Sequence, residues 1–271
     1  MWRRHWQLSG DPFLGAASPF VRTPTHAEAL ARLSSTIEGN QRLAILSGAE
    51  GLGKSAVLEA LVNEIRGPRR RIARIRGPVD GLEMFKGIAN GLGARTEAGR
   101  ERAAAWKAVV NAIRLCHWQK QQVVLMIDDA QTLDAPADVR DLERLCRIDL
   151  DPATPISVIV CLRESVAVST GTLGGTDWLL AIRLMPLTRS ETIQFVTEKL
   201  NRAGRSDPAF TPRALTRLHD LSEGVPRGLD RLASLALMAG AARGLELITP
   251  DVIDGVAREC VRSEPWEETA A

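Results

Sequence analysis

A glycine-rich segment near the start of the chain constrains the fold more than any other feature. Residues 48 to 55 read Gly-Ala-Glu-Gly-Leu-Gly-Lys-Ser and match the pattern G-x-x-x-x-G-K-[ST] in full. Glycines let such a loop curl until its N–H groups point at phosphate oxygens, and a helix beginning there adds the positive end of its dipole. The flanks fit, because an apolar run at 43 to 46 predicts a strand and an amphipathic stretch at 54 to 65 predicts a helix. The alternative is a chance glycine-rich turn, which the two flanks disfavour.

The loop predicts an ATP site that also holds Mg²⁺. Lys54 can reach the β- and γ-phosphates, and Ser55 can offer its hydroxyl to the metal. The predicted nucleotide-binding residues are Gly48, Ala49, Glu50, Gly51, Leu52, Gly53, Lys54, Ser55 and Ala56.

Two carboxylates follow the strongest strand candidate, residues 123 to 127. Asp128 is predicted to hold Mg²⁺ together with Ser55, since a phosphate-binding loop needs a carboxylate from a neighbouring strand. Asp129 is the candidate to orient and deprotonate the attacking water. Glutamate is more usual there, and the shorter Asp129 reaches the water poorly or through a second water. A polar turn at the end of a strand is the alternative reading of the pair.

The rest of the chain predicts an α/β part followed by a helical part. Strand candidates at 43–46, 72–75, 123–127, 156–162 and 182–185 alternate with helical patterns, which is typical of a parallel sheet with helices on both faces. Thr25 and Glu28 predict a capping box at the first long helix, and Ser190 marks a later helix start. After Leu187 only helical segments are predicted. The predicted divisions are an arm (1–24), a nucleotide-binding domain (25–187), a helical lid (188–262) and a tail (263–271).

Composition excludes several classes of protein. Hydrophobic residues make up 45% of the chain and the formal net charge is +2, which is typical of an ordinary soluble globular protein. No run of about 18 apolar residues occurs, so we expect no membrane span. The four cysteines lack metal-site spacing and are expected to stay reduced and buried in the cytoplasm.

A run of arginines between residues 66 and 76 is the one feature that suggests nucleic acid. DNA binding through this run is one interpretation. A solvated turn and strand edge is the favoured one, because the net charge is near zero and no aromatic residue interleaves with the arginines.

Several short motifs together resemble the AAA+ ATPases of the ExeA/GspA type (general secretion pathway protein A) and the related transposition ATPases TnsC and TniB. Beyond the phosphate loop, the resemblance rests on residues 8–13 (Leu-x-x-x-Pro-Phe), on the Asp-Asp-Ala-Gln of 128–131 and on the Gly-Val-Pro-Arg of 224–227. It implies a three-layer α/β sandwich with a five-stranded parallel sheet and a helical lid, with nucleotide held between sheet and lid. Arg227 would then be the sensor-2 arginine that reaches the γ-phosphate, and with Lys54 and Asp129 it completes the predicted catalytic set. The arm and the helix of His26 would flank the adenine, or the arm simply packs on the core.

The chain departs from this family pattern at three points. Asp129 replaces glutamate, the sensor-1 position offers only Arg163, and the segment between Glu164 and Ile182 lacks the expected arginine finger. Arg147, Arg163 or Arg183 are the possible substitutes for that finger. The departures leave three functions open: an ATPase that assembles head-to-tail into a ring or filament and acts on an unknown protein partner, a transposition-type DNA-binding regulator, and an ATP switch with little turnover.

Overall fold

The computed structural model describes residues 1–13, 20–39, 41–77, 80–94, 101–130, 136–148, 156–163 and 179–262. The chain forms two compact units, one of His26–Met185 and the other of Met1–Thr25 together with Pro186–Ala271. The residues predicted to be a separate arm are therefore grouped with the helical residues. The predicted tail, Gln131 and the side chains of Cys146 and Cys260 lie outside the described residues.

The first unit is built on a five-stranded sheet in which every pairing is parallel, as predicted. The central strands are apolar and fully buried, which requires cover on both faces. The strand order is β2-β3-β4-β1-β5, and the strands are β1 (Leu43–Ser47), β2 (Arg70–Ile75), β3 (Gln122–Ile127), β4 (Ile156–Leu162) and β5 (Leu179–Arg183).

Helices connect these strands and cover the sheet. One continuous core joins β1 to β4 with the helices that follow β2 and β3, and it includes Phe85, Ile113 and Leu125. The helices are α2 (Pro24–Glu38), α3 (Lys54–Ile65), α4 (Gly81–Gly91), α5 (Arg102–Trp118) and α6 (Pro136–Cys146).

The second unit is helical and has its own core. It consists of a short first helix and four longer ones: α1 (Trp2–His5), α7 (Arg189–Arg202), α8 (Pro212–Ser222), α9 (Pro226–Ala242) and α10 (Pro250–Arg262). Trp6 is fully buried in this core and donates its indole N–H to the carbonyl of Leu237 at 2.7 Å, which fastens the amino-terminal segment to α9.

Several boundaries differ from prediction, and β2 begins at Arg70, two residues before its predicted start. Helix α2 begins at Pro24, so the predicted capping box of Thr25 and Glu28 is wrong; proline suits the first helical position, and the Thr25 N–H instead donates to Glu191 Oε1 at 2.6 Å. Strand β5 begins at Leu179, before its predicted start, because it pairs with β1 over five residues. Helix α7 is capped by Thr188, whose hydroxyl accepts from the N–H of Glu191.

Candidate nucleotide-binding site

The glycine-rich loop connects β1 to α3 at the carboxyl end of the sheet. Gly51 and Gly53 have φ values of 82° and 91°, in the left-handed region that favours glycine. A Cβ on Gly53 would lie 2.9 Å from His26 Nε2, so this position also requires glycine for lack of space. His26 is buried and hydrogen-bonds the Leu52 carbonyl at 2.9 Å, so α2 supports the loop from behind.

Lys54 is folded back over the loop. Its ammonium donates to the carbonyls of Gly48 at 2.8 Å and Ala49 at 2.9 Å, and the side chain is buried. An ammonium has three donors, so one remains for an anion. Burial lowers the pKa of Lys54, while the Asp128 and Asp129 carboxylates oppose that change. A partly desolvated cation at the start of a helix that follows a glycine-rich loop is a strong site for a phosphate.

Ser55 and Asp128 meet across 73 residues of sequence. The Ser55 hydroxyl donates to Asp128 Oδ1 at 3.1 Å, and the carboxylate is only 3% exposed. The parallel pairings of β3 with β4 and of β4 with β1 bring this end of β3 to the edge of the sheet where the loop lies. A hydroxyl and a carboxylate oxygen at this spacing are hard oxygen ligands of the kind Mg²⁺ takes, so the two residues predicted as metal ligands fit the metal chemically.

Arg74 holds the other oxygen of Asp128, and sequence analysis missed it as a site residue. Its guanidinium bonds Asp128 Oδ2 at 2.8 Å and the Ser55 carbonyl at 3.0 Å, and it also pairs with Glu59 of α3. Arg76 pairs with Glu59 as well. The last two arginines of the run, Arg74 and Arg76, therefore have structural partners: Arg74 contacts Asp128, and both contact Glu59 of α3. The available signal was the place of Arg74 near the carboxyl end of the strand beside β3.

The other predicted site residues of this unit are Asp129, Arg163 and the exposed residues of the loop. Asp129 directly follows Asp128 and has a left-handed backbone, with φ 58°. Arg163 follows β4 and pairs with Glu50 of the loop at 2.8 Å, so the structure brings this candidate sensor to the site. Ala49, Glu50, Ser55 and Ala56 are exposed, as the rim of a binding site requires.

Cys161, at the sensor-1 position, is fully buried under this site. Burial and the nearby Asp128 carboxylate raise the pKa of its thiol well above the ordinary value. The thiol therefore stays protonated at neutral pH and lacks the thiolate character of a nucleophile.

Arg227 belongs to the second unit. It is exposed at the second residue of α9, after Pro226. Gly224 precedes it with φ 71°, and a Cβ there would meet the Leu187 carbonyl at 2.1 Å. The Gly-Val-Pro-Arg motif thus contains a glycine that is required by packing within its own unit.

Comparison with known proteins assigns the class. Residues 37–167 match the family model described as AAA domain. A parallel five-stranded sheet carrying a phosphate loop after β1, followed along the chain by a helical region, is the fold of AAA+ P-loop ATPases.

A curated relative covers more of the chain. General secretion pathway protein A of Aeromonas hydrophila is 26% identical over 270 residues, which are 96% of this chain and 48% of that protein. The chain therefore spans about half the length of this relative.

Solved structures share the fold at low sequence identity. Cdc6p from Pyrobaculum aerophilum is 16% identical with a TM-score of 0.75, over 94% of this chain and 74% of that chain. The RuvB Holliday junction branch migration motor of Thermotoga maritima is 15% identical with a TM-score of 0.56, over 92% and 73%.

Two further observations concern membranes and metals. No described helix is both long enough and apolar enough to cross a membrane. Within the part of the chain that the structure describes, no group of three or more His, Cys, Asp or Glu side chains could hold a metal ion. The candidate metal ligands are the pair described above, one hydroxyl and one carboxylate.

Proposed function

We propose that this protein binds ATP with Mg²⁺ in the loop of residues 48 to 56 and hydrolyses it to ADP and phosphate. The observation that carries the proposal is the contact between Ser55 and Asp128 beside the buried Lys54 ammonium. A phosphate cradle, a cation for the terminal phosphates and a pair of oxygen ligands for Mg²⁺ occur there within one loop and one strand end. The match to the AAA domain family supports the same nucleotide.

The roles follow from the chemistry of each side chain. The loop N–H groups and Lys54 bind and orient the phosphates, and Lys54 neutralises charge that develops on them. Ser55 and Asp128 would hold Mg²⁺, which would neutralise negative charge on the phosphates. Asp129 accepts the proton of the attacking water.

Arg227 is proposed to bind the γ-phosphate from the helical unit. A guanidinium suits phosphate oxygens and stays charged at every physiological pH. Loss of the γ-phosphate on hydrolysis would then remove the ligand of Arg227. We also propose that copies of the chain assemble head-to-tail, with Arg147, Arg163 or Arg183 of one copy reaching the site of the next.

The test measures ATP binding, phosphate release and mass on the same samples. Lys54→Ala is expected to remove ATP binding, and Lys107→Ala, an exposed lysine of α5, is its matched control. Light scattering with and without ATP checks the assembly. Failure of the wild type to bind ATP would sink the proposal.

Asp129 separates hydrolysis from binding. Asp129→Asn keeps the shape and suits the left-handed backbone, so we expect normal binding with turnover lower by about 10²–10⁴-fold, the usual contribution of a positioned base. Asp129→Glu lengthens the side chain by one methylene and is expected to raise turnover. A wild type that binds ATP without turnover would identify the protein as a nucleotide-dependent switch.

A further inference from the structure

Five cations gather at the end of the sheet opposite the phosphate loop. We name this surface the basic edge; it comprises Arg66, Arg69 and Arg71 around the start of β2, with Arg114 and Lys120 around the end of α5, all of them exposed. Along the strands it is separated from the nucleotide site by about 17 Å, the length of a six-residue parallel strand.

Backbone pairing makes the basic edge one continuous surface. The turn before β2 and the turn before β3 are joined by a bond from the Gln122 N–H to the Arg69 carbonyl at 2.9 Å. The Gln121 amide also donates to the Pro68 carbonyl at 2.9 Å. The cations of the two turns are therefore held side by side by the sheet itself.

No acidic residue stands within the two segments that carry this surface. The sequence has no acidic residue from 65 to 79 or from 102 to 127. Among the described residues, none of the five cations of the basic edge takes part in a salt bridge, unlike Arg74 and Arg76 at the other end of β2. Positive charge is therefore concentrated on this surface although the net charge of the whole chain is only +2.

An exposed aromatic side chain lies within this surface. Trp118 is 81% exposed, and Leu115 and Arg114 lie one turn before it on the same face of α5. The sequence run of arginines contains no aromatic residue, and the fold supplies one from a different segment. A large indole left in water beside unpaired guanidinium groups is the combination that proteins use to stack a base and hold its phosphates.

We propose that the basic edge binds single-stranded nucleic acid, with phosphates on its arginines and an unpaired base stacked on Trp118. An acidic protein partner would pair with the cations of the basic edge, but its charges would give no reason for an exposed indole beside them. A duplex would contact the charges alone, since its bases are already stacked. This surface lies apart from the nucleotide site and requires no bound ATP.

The test is fluorescence anisotropy of a labelled 20-nucleotide oligothymidylate with the full chain, over a salt titration. Arg66→Ala/Arg69→Ala is expected to lower the slope of log K against log salt by about 1.4, which is about 0.7 for each phosphate of a single strand that the variant leaves unneutralised. Trp118→Ala is expected to weaken binding by about 5–100-fold with little change of slope, because base stacking carries no counterion release.

Matched variants make the outcome decisive. Arg213→Ala/Arg231→Ala removes two exposed arginines from the helical unit and should bind the oligonucleotide as the wild type does. Lys54→Ala should also bind it normally, which separates this proposal from the ATPase proposal, and circular dichroism confirms that each variant is folded. Three results would each overturn the proposal. The first is no binding of the oligonucleotide at low salt, and the second is an equal weakening of binding in the Arg213→Ala/Arg231→Ala control. The third is a duplex that binds as tightly as the single strand, together with a Trp118→Ala variant that binds the single strand as the wild type does.

Discussion

The two carboxylate oxygens of Asp128 have different partners, and these partners determine which oxygen lies beside Ser55. Oδ1 faces the Ser55 hydroxyl, and Oδ2 is taken by the Arg74 guanidinium. The carboxylate is 3% exposed, so without a cation its charge would be buried and unpaired. Arg74 therefore fixes the rotamer of the carboxylate and leaves Oδ1 with Ser55 for a metal ion.

Replacing Arg74 tests this positioning role. Arg74→Ala is expected to lower the free energy of unfolding by about 3–5 kcal/mol, the cost of breaking a buried ion pair. In the protein that remains folded, we expect the gain in ATP affinity on adding Mg²⁺ to fall by at least about tenfold, with affinity in EDTA little changed. Arg74→Lys keeps the charge without the fork and should recover part of the gain.

Arg76→Ala is the matched control for Arg74→Ala. Arg76 shares the Glu59 partner and makes no contact with Asp128, so its removal should leave the Mg²⁺ dependence intact. An equal effect of the two replacements, seen in titrations of ATP at fixed Mg²⁺, would contradict the positioning role of Arg74.

The site could be predicted from sequence where a motif or a clear strand end marks its residues. The phosphate loop is a contiguous motif, and Asp128 ends an unmistakable apolar strand. Arg74 looked like one member of a surface run, because its contact with Asp128 depends on the pairing of β2 with β3. Trp118 likewise joins the arginines only through that pairing, so sequence could not place it among them.

At the scale of elements, local sequence patterns predicted which segments are helices and which are strands. Contacts between distant segments determine where several of these elements begin. Helix α3 and strand β4 have the predicted bounds because both are bordered by clear changes of pattern. Helix α2 begins earlier than predicted, and the expected cap residue Thr25 binds Glu191 in another element. Burial would raise the pKa of Glu191, but hydrogen bonds from Thr25 and Thr188 outweigh it and lower the pKa. A contact between residues 166 positions apart, such as Thr25 and Glu191, cannot be predicted from a local sequence pattern.

The turn between α8 and α9 provides a test at this scale. Gly224 has φ 71°, and a Cβ would lie 2.1 Å from the Leu187 carbonyl oxygen, too close for two atoms that are not bonded. Gly244, after α9, has a similar φ of 66° with nothing within 4 Å of the added atom. Gly244→Ala therefore costs only the left-handed backbone, about 1 kcal/mol, whereas Gly224→Ala should cost at least about 2 kcal/mol more.

Chemical denaturation of the two glycine variants gives both free energies. Equal destabilisation would show that the backbone at Gly224 shifts freely and that packing against Leu187 does not constrain the turn. Such a result would also weaken the assignment of the Gly-Val-Pro-Arg motif to a fixed position of Arg227 on α9.

At the scale of the whole molecule, total charge is a poor guide to surface chemistry. The chain carries 35 basic and 33 acidic residues, yet the basic edge contains cations alone. Several carboxylates are buried instead, among them Asp128 in the first unit and Glu191 in the helical unit. The proposed nucleotide site and the basic edge lie at opposite ends of the same sheet.

An ion pair between a buried lysine and a half-buried aspartate of the helical unit links the stability of the molecule to pH. Lys199 is 4% exposed and bonds Asp230 Oδ1 at 2.6 Å. The Lys199 ammonium lies 4.4 Å from the ring centroid of Phe195. Asp11, which accepts from the Ser234 hydroxyl at 3.2 Å, adds a second negative charge from the amino-terminal segment. Burial raises the pKa of Asp230 to about 6, although Lys199 opposes the change.

The sign of the linkage follows from the direction of this shift. The pKa of an unfolded aspartate is about 3.9, so between pH 4 and 6 the native state binds the proton that the unfolded state has lost. The contribution of Asp230 is complete below pH 4 and is lost as the pH rises through 6. We expect the free energy of unfolding of the wild type, relative to Asp230→Asn, to fall by about 1–2 kcal/mol from pH 4 to pH 7. Denaturant titrations at several pH values measure it, and a difference that stays constant with pH would contradict a shifted carboxyl at this position. Lys199→Met removes the partner, so its destabilisation should be larger at pH 8, where the half-buried carboxylate must ionise alone, than at pH 5.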